Sequence, residues 1–473
     1  MTAVLTAVAT AFFSVPPMEV CHTAPLVEVQ HSALQPVAVV RSVALREQRS
    51  RRTRSAKALT RGSRKSRSGV HSSRSKRRRG AQSRRQASPL RWEKLLDTLL
   101  ADGVRYQRYW VTGAVGQRLH VLRVNLQEPS LELMLIPSAP GQQQGLSEIV
   151  RRYDSLNVTR TVIAAINGYF WNRRGLPVGI TASDGELLQL HRYKRWSAVV
   201  GDGRGRLVLD TFLLSVWVRF SGKDRIPLAG VNARQMPDGI VLYTRAAGDT
   251  IPRLRSVRVS LFDEDNPDSL VVETVPADTL EQRLWKLQLR SLREPALNRS
   301  VPCQVIGVDS GAVPVPLRGC VLSLGEDIPL QERLRIGDTV WIESSVSPPV
   351  PFAVRHIWSG TPQLLRNGRL SITAEREGTV LWRFLHRRRP RTAIGWNRSR
   401  EFLLVVVEQG EGSAGATIPE LARLMQRLGA QWALNLDGGS SSGMYVRGGD
   451  PIGNARPVAS ALAVVQRRLW STP

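Results

Sequence analysis

Asp437 closes an apolar run, Trp432 to Leu436, and is followed at once by Gly438, Gly439 and the hydroxyls of Ser440, Ser441 and Ser442. A carboxylate at a strand end is aimed by a rigid element. Glycines let backbone N–H groups approach a ligand, and N–H and hydroxyl donors gathered on one loop suit an oxyanion such as phosphate. The loop Gly438 to Ser441 therefore reads as an anion-binding turn. Asp437 reads as a carboxylate that moves a proton or holds a metal ion. The competing reading is an Asp that caps its own loop through the backbone.

Other segments carry further candidates. Asn167 ends the apolar strand Val162 to Ile166 and precedes Gly168-Tyr169-Phe170-Trp171. Its amide could orient a sugar hydroxyl or a phosphate oxygen. The aromatics either stack on a ring or pack in the core, and packing is the usual fate of such side chains. Arg391 begins Arg391-Thr392-Ala393-Ile394-Gly395. A guanidinium fork suits bidentate phosphate binding. Arg391 also closes a basic run from Arg387, so one solvated arginine among several is the alternative. Glu408 follows the apolar run Phe402 to Val407 and could face the same cleft as Asp437. Asp184 stands before Gly185 between apolar runs, which is a hairpin-turn signal. The seven His residues form no close pair with metal spacing, which argues against a zinc centre. No cofactor is required by the sequence. A divalent cation with oxygen ligands near Asp437 is compatible with it.

Taken in order, Ala165–Asn172, Ser359–Gly368, Arg391–Trp396, Asn435–Gly443 and Arg456–Ala459 resemble the motifs of the phosphodiester glycosidase family. Its members include the N-acetylglucosamine-1-phosphodiester alpha-N-acetylglucosaminidase type. Bacterial relatives are labelled exopolysaccharide-biosynthesis proteins. The resemblance covers about residues 104–465. It implies a hydrolase that cleaves a sugar phosphodiester, acting on a cell-surface glycan or exopolysaccharide in the periplasm or outside the cell. It also implies Asp437, Arg391 and Asn167 as catalytic residues, with Gly168, Thr392, Gly438, Gly439, Ser440 and Ser441 binding substrate. Ser440 stands where the family has a third glycine, and a positive φ there would strain a serine. A glycan-binding protein on the same fold, without turnover, is the alternative. So is association with nucleic acid or another polyanion through a basic arm.

These residues need elements to hold them. Alternating patterns predict strands over Tyr106–Val111, Gln117–Leu126 and Ser130–Ile136. Trp92–Ala101 reads as a short amphipathic helix stopped near Gly103. Residues 149–153 read as the end of another helix. Ile418–Leu428 reads as a helix with Thr417 as N-cap, Pro419 in its first turn and Gly429 at its end. Strand Phe402–Val407, this helix and strand Trp432–Leu436 suggest a crossover on a mixed sheet. Ser460–Gln466 supplies a last strand. Residues 207–350 are rich in β-branched residues and turn signals and read as a β-rich insertion. The expected class is α+β, a mixed sheet with packed helices and that insertion, over residues 91–473.

Residues 1–90 read as a disordered basic arm. Between Arg41 and Arg91 there are 19 Lys or Arg and one acid, Glu47, so this segment holds +18 of the formal +28. It is Ser/Arg-rich with almost no aromatics, too polar to order itself and without the stacking groups of nucleic-acid recognition. Contact of residues 41–91 with a polyanion would rest on charge alone. No apolar run reaches the roughly 20 residues of a membrane span. Ala3–Val15 has the length of a signal h-region but no basic residue before it, which leaves a cytoplasmic location open. Cysteines are three, Cys21, Cys303 and Cys320, which excludes a disulfide framework. Cys303 and Cys320 either pair in an oxidising compartment or stay reduced.

Overall fold

The computed structural model describes residues 90–221, 225–254, 284–328, 334–453 and 456–467. The signal-like segment and nearly all of the basic segment, with the polyanion contact expected of it, lie outside the described residues.

Four layers carry the site. An eight-stranded sheet runs in the order 91–101, 104–112, 116–125, 401–407, 391–396, 432–435, 363–366 and 369–370. Every ladder in it is antiparallel. A five-stranded antiparallel sheet runs 452–453, 443–446, 160–167, 460–467 and 131–137. Side chains alternate across a strand, so each central strand feeds two cores. Leu122, Val124, Leu404 and Val406 pack against Ile166, Leu462 and Val464 of the second sheet. Leu119, Val121, Leu403 and Val405 turn the other way, onto Leu421, Leu424 and Met425 of the helix Ile418–Arg427. Val162, Ala461 and Ala463 back onto Ile149 and Val150 of the helix Leu146–Leu156. The result is helix, sheet, sheet, helix.

The helix Ile418–Arg427 begins as its sequence predicts. Thr417 Oγ1 accepts from Glu420 N and Glu420 Oε2 accepts from Thr417 N, a capping box. It does cross between two strands running the same way, but these are not neighbours. Both pair antiparallel with the Arg391–Trp396 strand that lies between them.

Trp92–Ala101 is a correction. It lies in a strand, Arg91–Ala101, paired with Val104–Thr112. Gly103, read as a helix stop, instead turns a hairpin at φ +74°. The sheet edge and the packing of Trp92 on Tyr109, ring centroids 5.5 Å apart, outweigh a weak helical preference.

A third sheet, of order 186–189, 181–183, 356–360, 197–201 and 207–210, contains both ends of the insertion. The chain leaves it after Asp210 and returns at His356. Between them, seven strands from Leu213–Arg219 to Thr339–Ser347 close a barrel. Among the described residues its one parallel ladder joins Arg225–Val231 to Ile240–Tyr243. Cys303 and Cys320 are buried and free in the barrel. They pair with Ser291 and Leu289 on opposite sides of one strand. Two strand spacings, about 9.5 Å, exceed the Cα separation of about 7 Å that a disulfide tolerates. Of the two alternatives left open for Cys303 and Cys320, the structure has them unpaired.

Candidate functional site

Asn167 is the joint of the site. It ends the Arg160–Asn167 strand and is 1% exposed. Its Nδ2 donates to the Asp437 carbonyl at 2.7 Å. Its Oδ1 accepts from Thr392 Oγ1 at 2.7 Å and from Gly443 N at 3.2 Å. One amide thus fastens both ends of the 437–443 loop and the Arg391–Trp396 strand. The layers meet here because of it. Gly168 follows, and a Cβ there would stand 2.3 Å from Ser460 Oγ, so no other residue lets the strands close this tightly.

Asp437 lies just past the Trp432–Asn435 strand, whose direction Leu436 continues by donating its N–H to the Thr392 carbonyl. Its Oδ1 accepts from Gly438 N at 2.9 Å. Burial raises its pKa above the ordinary carboxylate value. Hydrogen bonds from Ser441 and the Gly438 N–H, the Arg456 charge and a hydrogen bond from Trp171 oppose that shift. The carboxylate is surrounded by donors and a guanidinium rather than by further oxygen ligands. Among the described residues no group of three His, Cys, Asp or Glu side chains is placed to hold a metal ion.

The 438–441 loop is not an open cradle of N–H groups. Gly438 N is held by Asp437, Gly439 N by the Pro390 carbonyl at 2.9 Å and Ser441 N by the Gly438 carbonyl at 3.4 Å. The positive φ falls on Gly439, at +65°, and not on Ser440. Ser440 is therefore unstrained, and its Oγ accepts from Arg456 Nη1 at 2.9 Å. The guanidinium of Arg456 lies 5.2 Å from the centre of the Trp171 ring, at cation–π range. On the loop's other flank, Arg389 Nη1 stands 4.0 Å from where a Cβ of Gly439 would be. Both arginines are exposed.

Arg391 is a correction to the expected phosphate fork. It is 2% exposed, and its guanidinium donates to the carbonyls of Ala416 at 2.9 Å, Phe384 at 2.6 Å and Arg387 at 3.0 Å. Burial and the nearby Arg389 lower its pKa to about 10. It ties the basic run to the sheet, and the cations presented to solvent beside the loop are Arg389 and Arg456. Asp184 is also elsewhere. It and Gly185 take φ of +50° and +81° in a hairpin at the opposite end of the Arg160–Asn167 strand, where Asp184 pairs with Arg160 and Arg355.

Glu408 does come near. It lines a cavity of about 250 Å³ with Arg118, Pro390 and Ser442. His120 Nε2 is 3.1 Å and Arg118 Nη1 3.3 Å from its Oε2. Tyr106 Oη is 2.7 Å from His120 Nδ1, completing a buried polar chain. The His120 hydrogen bond, then the His120 and Arg118 charges, hold the Glu408 pKa below the usual range. The Ser442 hydroxyl is buried without a partner. Tyr169 is core, donating to the Ala459 carbonyl at 3.2 Å. Trp171, Arg389 and Arg456 were visible in the aromatic segment, the basic run and the closing motif, but nothing in a linear pattern says which of five consecutive basic or proline positions faces out.

Comparison with known proteins bears on the family and the fold. Residues 326–465 match the family model described as phosphodiester glycosidase. This is a distant, partial match, and it includes Asp437, Arg391 and Arg456. No curated protein matches. Among solved structures, a hypothetical protein from Synechocystis is 23% identical with a TM-score of 0.54, over 81% of this chain. The chain spans only 64% of the length of that protein. A putative exported protein from Burkholderia pseudomallei is 19% identical with a TM-score of 0.50, over 74% of each chain. These two share the fold. The catalytic domain of zebrafish N-acetylglucosamine-1-phosphodiester alpha-N-acetylglucosaminidase aligns over 80% of this chain at 14% identity and a TM-score of 0.34, too low to carry an argument.

Proposed function

We propose that this chain is a phosphodiester glycosidase that hydrolyses a sugar joined through its anomeric oxygen to a phosphodiester. The partial family match supports the reaction class. The observation that carries the reading is a half-buried carboxylate, Asp437, fixed by Asn167 beside two exposed guanidiniums, Arg389 and Arg456.

In this reading the arginines hold the phosphate by charge-assisted hydrogen bonds. Water oxygen bonds to the anomeric carbon, the carbon–oxygen bond to phosphate breaks, and its electron pair leaves with the phosphomonoester. A phosphate monoester leaves without a proton, so the carboxylate is of most use on the water. Asp437 takes the water's proton as general base, and its raised pKa strengthens it for that role. Asn167 is a positioning residue. We place the substrate on a cell-surface glycan or exopolysaccharide outside the cytoplasm, following the sequence resemblance.

The test is hydrolysis of a panel of sugar 1-phosphodiesters in ¹⁸O-labelled water. The label is expected in the sugar, and Asp437→Asn is expected to lose about 100-fold or more in kcat. Label in the phosphate, or a folded Asp437→Asn with wild-type rate, would overturn the mechanism. Glycan binding without turnover is favoured by one observation, that the N–H groups of Gly438, Gly439 and Ser441 are already held within the protein. Saturable binding with no product from any diester would establish it.

A further inference from the structure

At the other end of the Arg160–Asn167 strand, seven residues and about 23 Å from Asn167, lies a cavity of about 920 Å³. It is within the size range of small-molecule sites, roughly 300–1,000 Å³. None of the residues of the Asp437 site lines it. Its wall includes His356 and Trp358, two residues apart on the His356–Gly360 strand and so on one face of it. Their rings stack with centroids 5.7 Å apart.

Both side chains are buried, at 1% and 3% exposure, and His356 Nε2 and Trp358 Nε1 have no hydrogen-bond partner. His356 Nδ1 accepts from the Asp184 N–H at 3.2 Å. Burial, with Arg355 and Arg160 nearby, lowers its pKa to about 3, so the ring is neutral and its proton sits on Nε2. Both nitrogens lie buried just behind the cavity wall, so two N–H donors without an acceptor stand there, and a ligand oxygen reaches them when the covering side chains shift. Leaving such groups unpaired costs free energy that a ligand oxygen would recover.

The rim supplies charge. Arg160 and Arg467 pair with Glu132, and Arg355 pairs with Asp184 and Glu294. Arg204 and Arg400 also line the cavity and are exposed, and among the described residues neither side chain has a carboxylate partner. Unpaired donors on the wall and unpaired guanidiniums at the rim both ask for acceptor oxygens. Ion-paired guanidiniums and carboxylates between them suit hydroxyls, which both donate and accept.

We propose that this cavity is a second binding site, for a saccharide that carries an oxyanion, with the sugar against the His356–Trp358 wall and the phosphate or carboxylate at Arg204 and Arg400. The proposal does not depend on hydrolysis at Asp437.

Indole ¹⁵N–H spectra test it in the whole protein. Trp358→Phe identifies the Trp358 signal among the 12 tryptophans, and Trp171→Phe identifies the one that reports the Asp437 site. Glucose 6-phosphate, glucuronate, glucose and inorganic phosphate are titrated separately. The Trp358 signal is expected to shift with the first or second probe, which also tells phosphate from carboxylate. Arg204→Gln with Arg400→Gln, both surface changes, should weaken that binding about tenfold. Glucose binding as tightly as either anionic sugar would overturn the oxyanion, and inorganic phosphate binding as tightly would overturn the saccharide. A Trp358 signal unmoved by all four probes, or shifted equally in the double variant, would remove the site whatever happens at Trp171.

Discussion

The two ends of the Arg160–Asn167 strand are built on opposite principles. At the Asn167 end most polar groups have partners inside the protein, Asn435 Oδ1 and the Ser442 hydroxyl excepted, and Arg389 and Arg456 are presented to solvent. At the Arg160 end there is a large cavity whose wall keeps donors without acceptors. A fixed network costs little to reorganise when charge moves, which is what a reacting carboxylate needs. Unpaired donors in a roomy pocket favour holding a ligand. If Asp437 is the reacting carboxylate, as proposed, then hydrogen-bond saturation around it marks the chemistry and cavity size does not.

The sharpest way to break this comparison is Asp437→Asn. It should remove about 100-fold or more of kcat while ligand binding read at Trp358 is unchanged. If binding at Trp358 falls as well, the two ends are one site. Asn167→Ala is expected to be the next largest effect. It strips three hydrogen bonds from a buried joint and should cost about 3 kcal/mol by denaturant unfolding, since each orphaned group is worth about 1 kcal/mol or more. A loss of activity without a loss of stability would instead place the amide on the substrate.

The third comparison is among arginines. Arg456→Gln and Arg389→Gln should each raise KM about tenfold, consistent with a lost charge-assisted hydrogen bond, and leave the melting temperature nearly unchanged. Arg391→Gln should lower stability by about 2 kcal/mol, because three carbonyls lose donors, with KM little affected. The reverse pattern would restore Arg391 as the phosphate ligand.

These arginines show where the sequence was readable. Motif order led to the loop, to Asn167 and to the Arg391 segment, and the structure brings all three together. The capped helix at Thr417 and the strands around it could be read because caps and alternation are local. The roles of Arg391 and Arg389 could not, because which of them points inward is decided by Phe384 and Ala416, residues brought close only by the fold. The same holds for Trp92–Ala101, where pairing with a neighbouring strand overrode a helical pattern. The paired wall of His356 and Trp358 spans two strand positions with no motif, and its unpaired donors exist only once burial is known.

The smallest effects concern the signs of two carboxylates near the loop. Asp437 has a raised pKa through burial, so the folded state binds its proton more tightly than the unfolded chain does. Stability is then lost as pH climbs from the ordinary carboxylate value of 3.8 through the folded pKa, and the loss persists at neutral pH. Asp437→Asn should melt slightly higher than wild type at pH 7, with the gain shrinking below that value. Glu408 has the opposite sign. Its pKa is lowered by His120 and Arg118, so it stabilises the fold above the ordinary glutamate value of 4.5, and that contribution disappears as pH falls through the folded pKa. Glu408→Gln should melt lower than wild type at neutral pH and converge with it in acid. A carboxylate kept where it weakens the fold is retained for something other than stability, whereas one that strengthens it needs no further explanation. If both variants melt lower at pH 7, Asp437 is a structural cap of its loop and the contrast between it and Glu408 collapses.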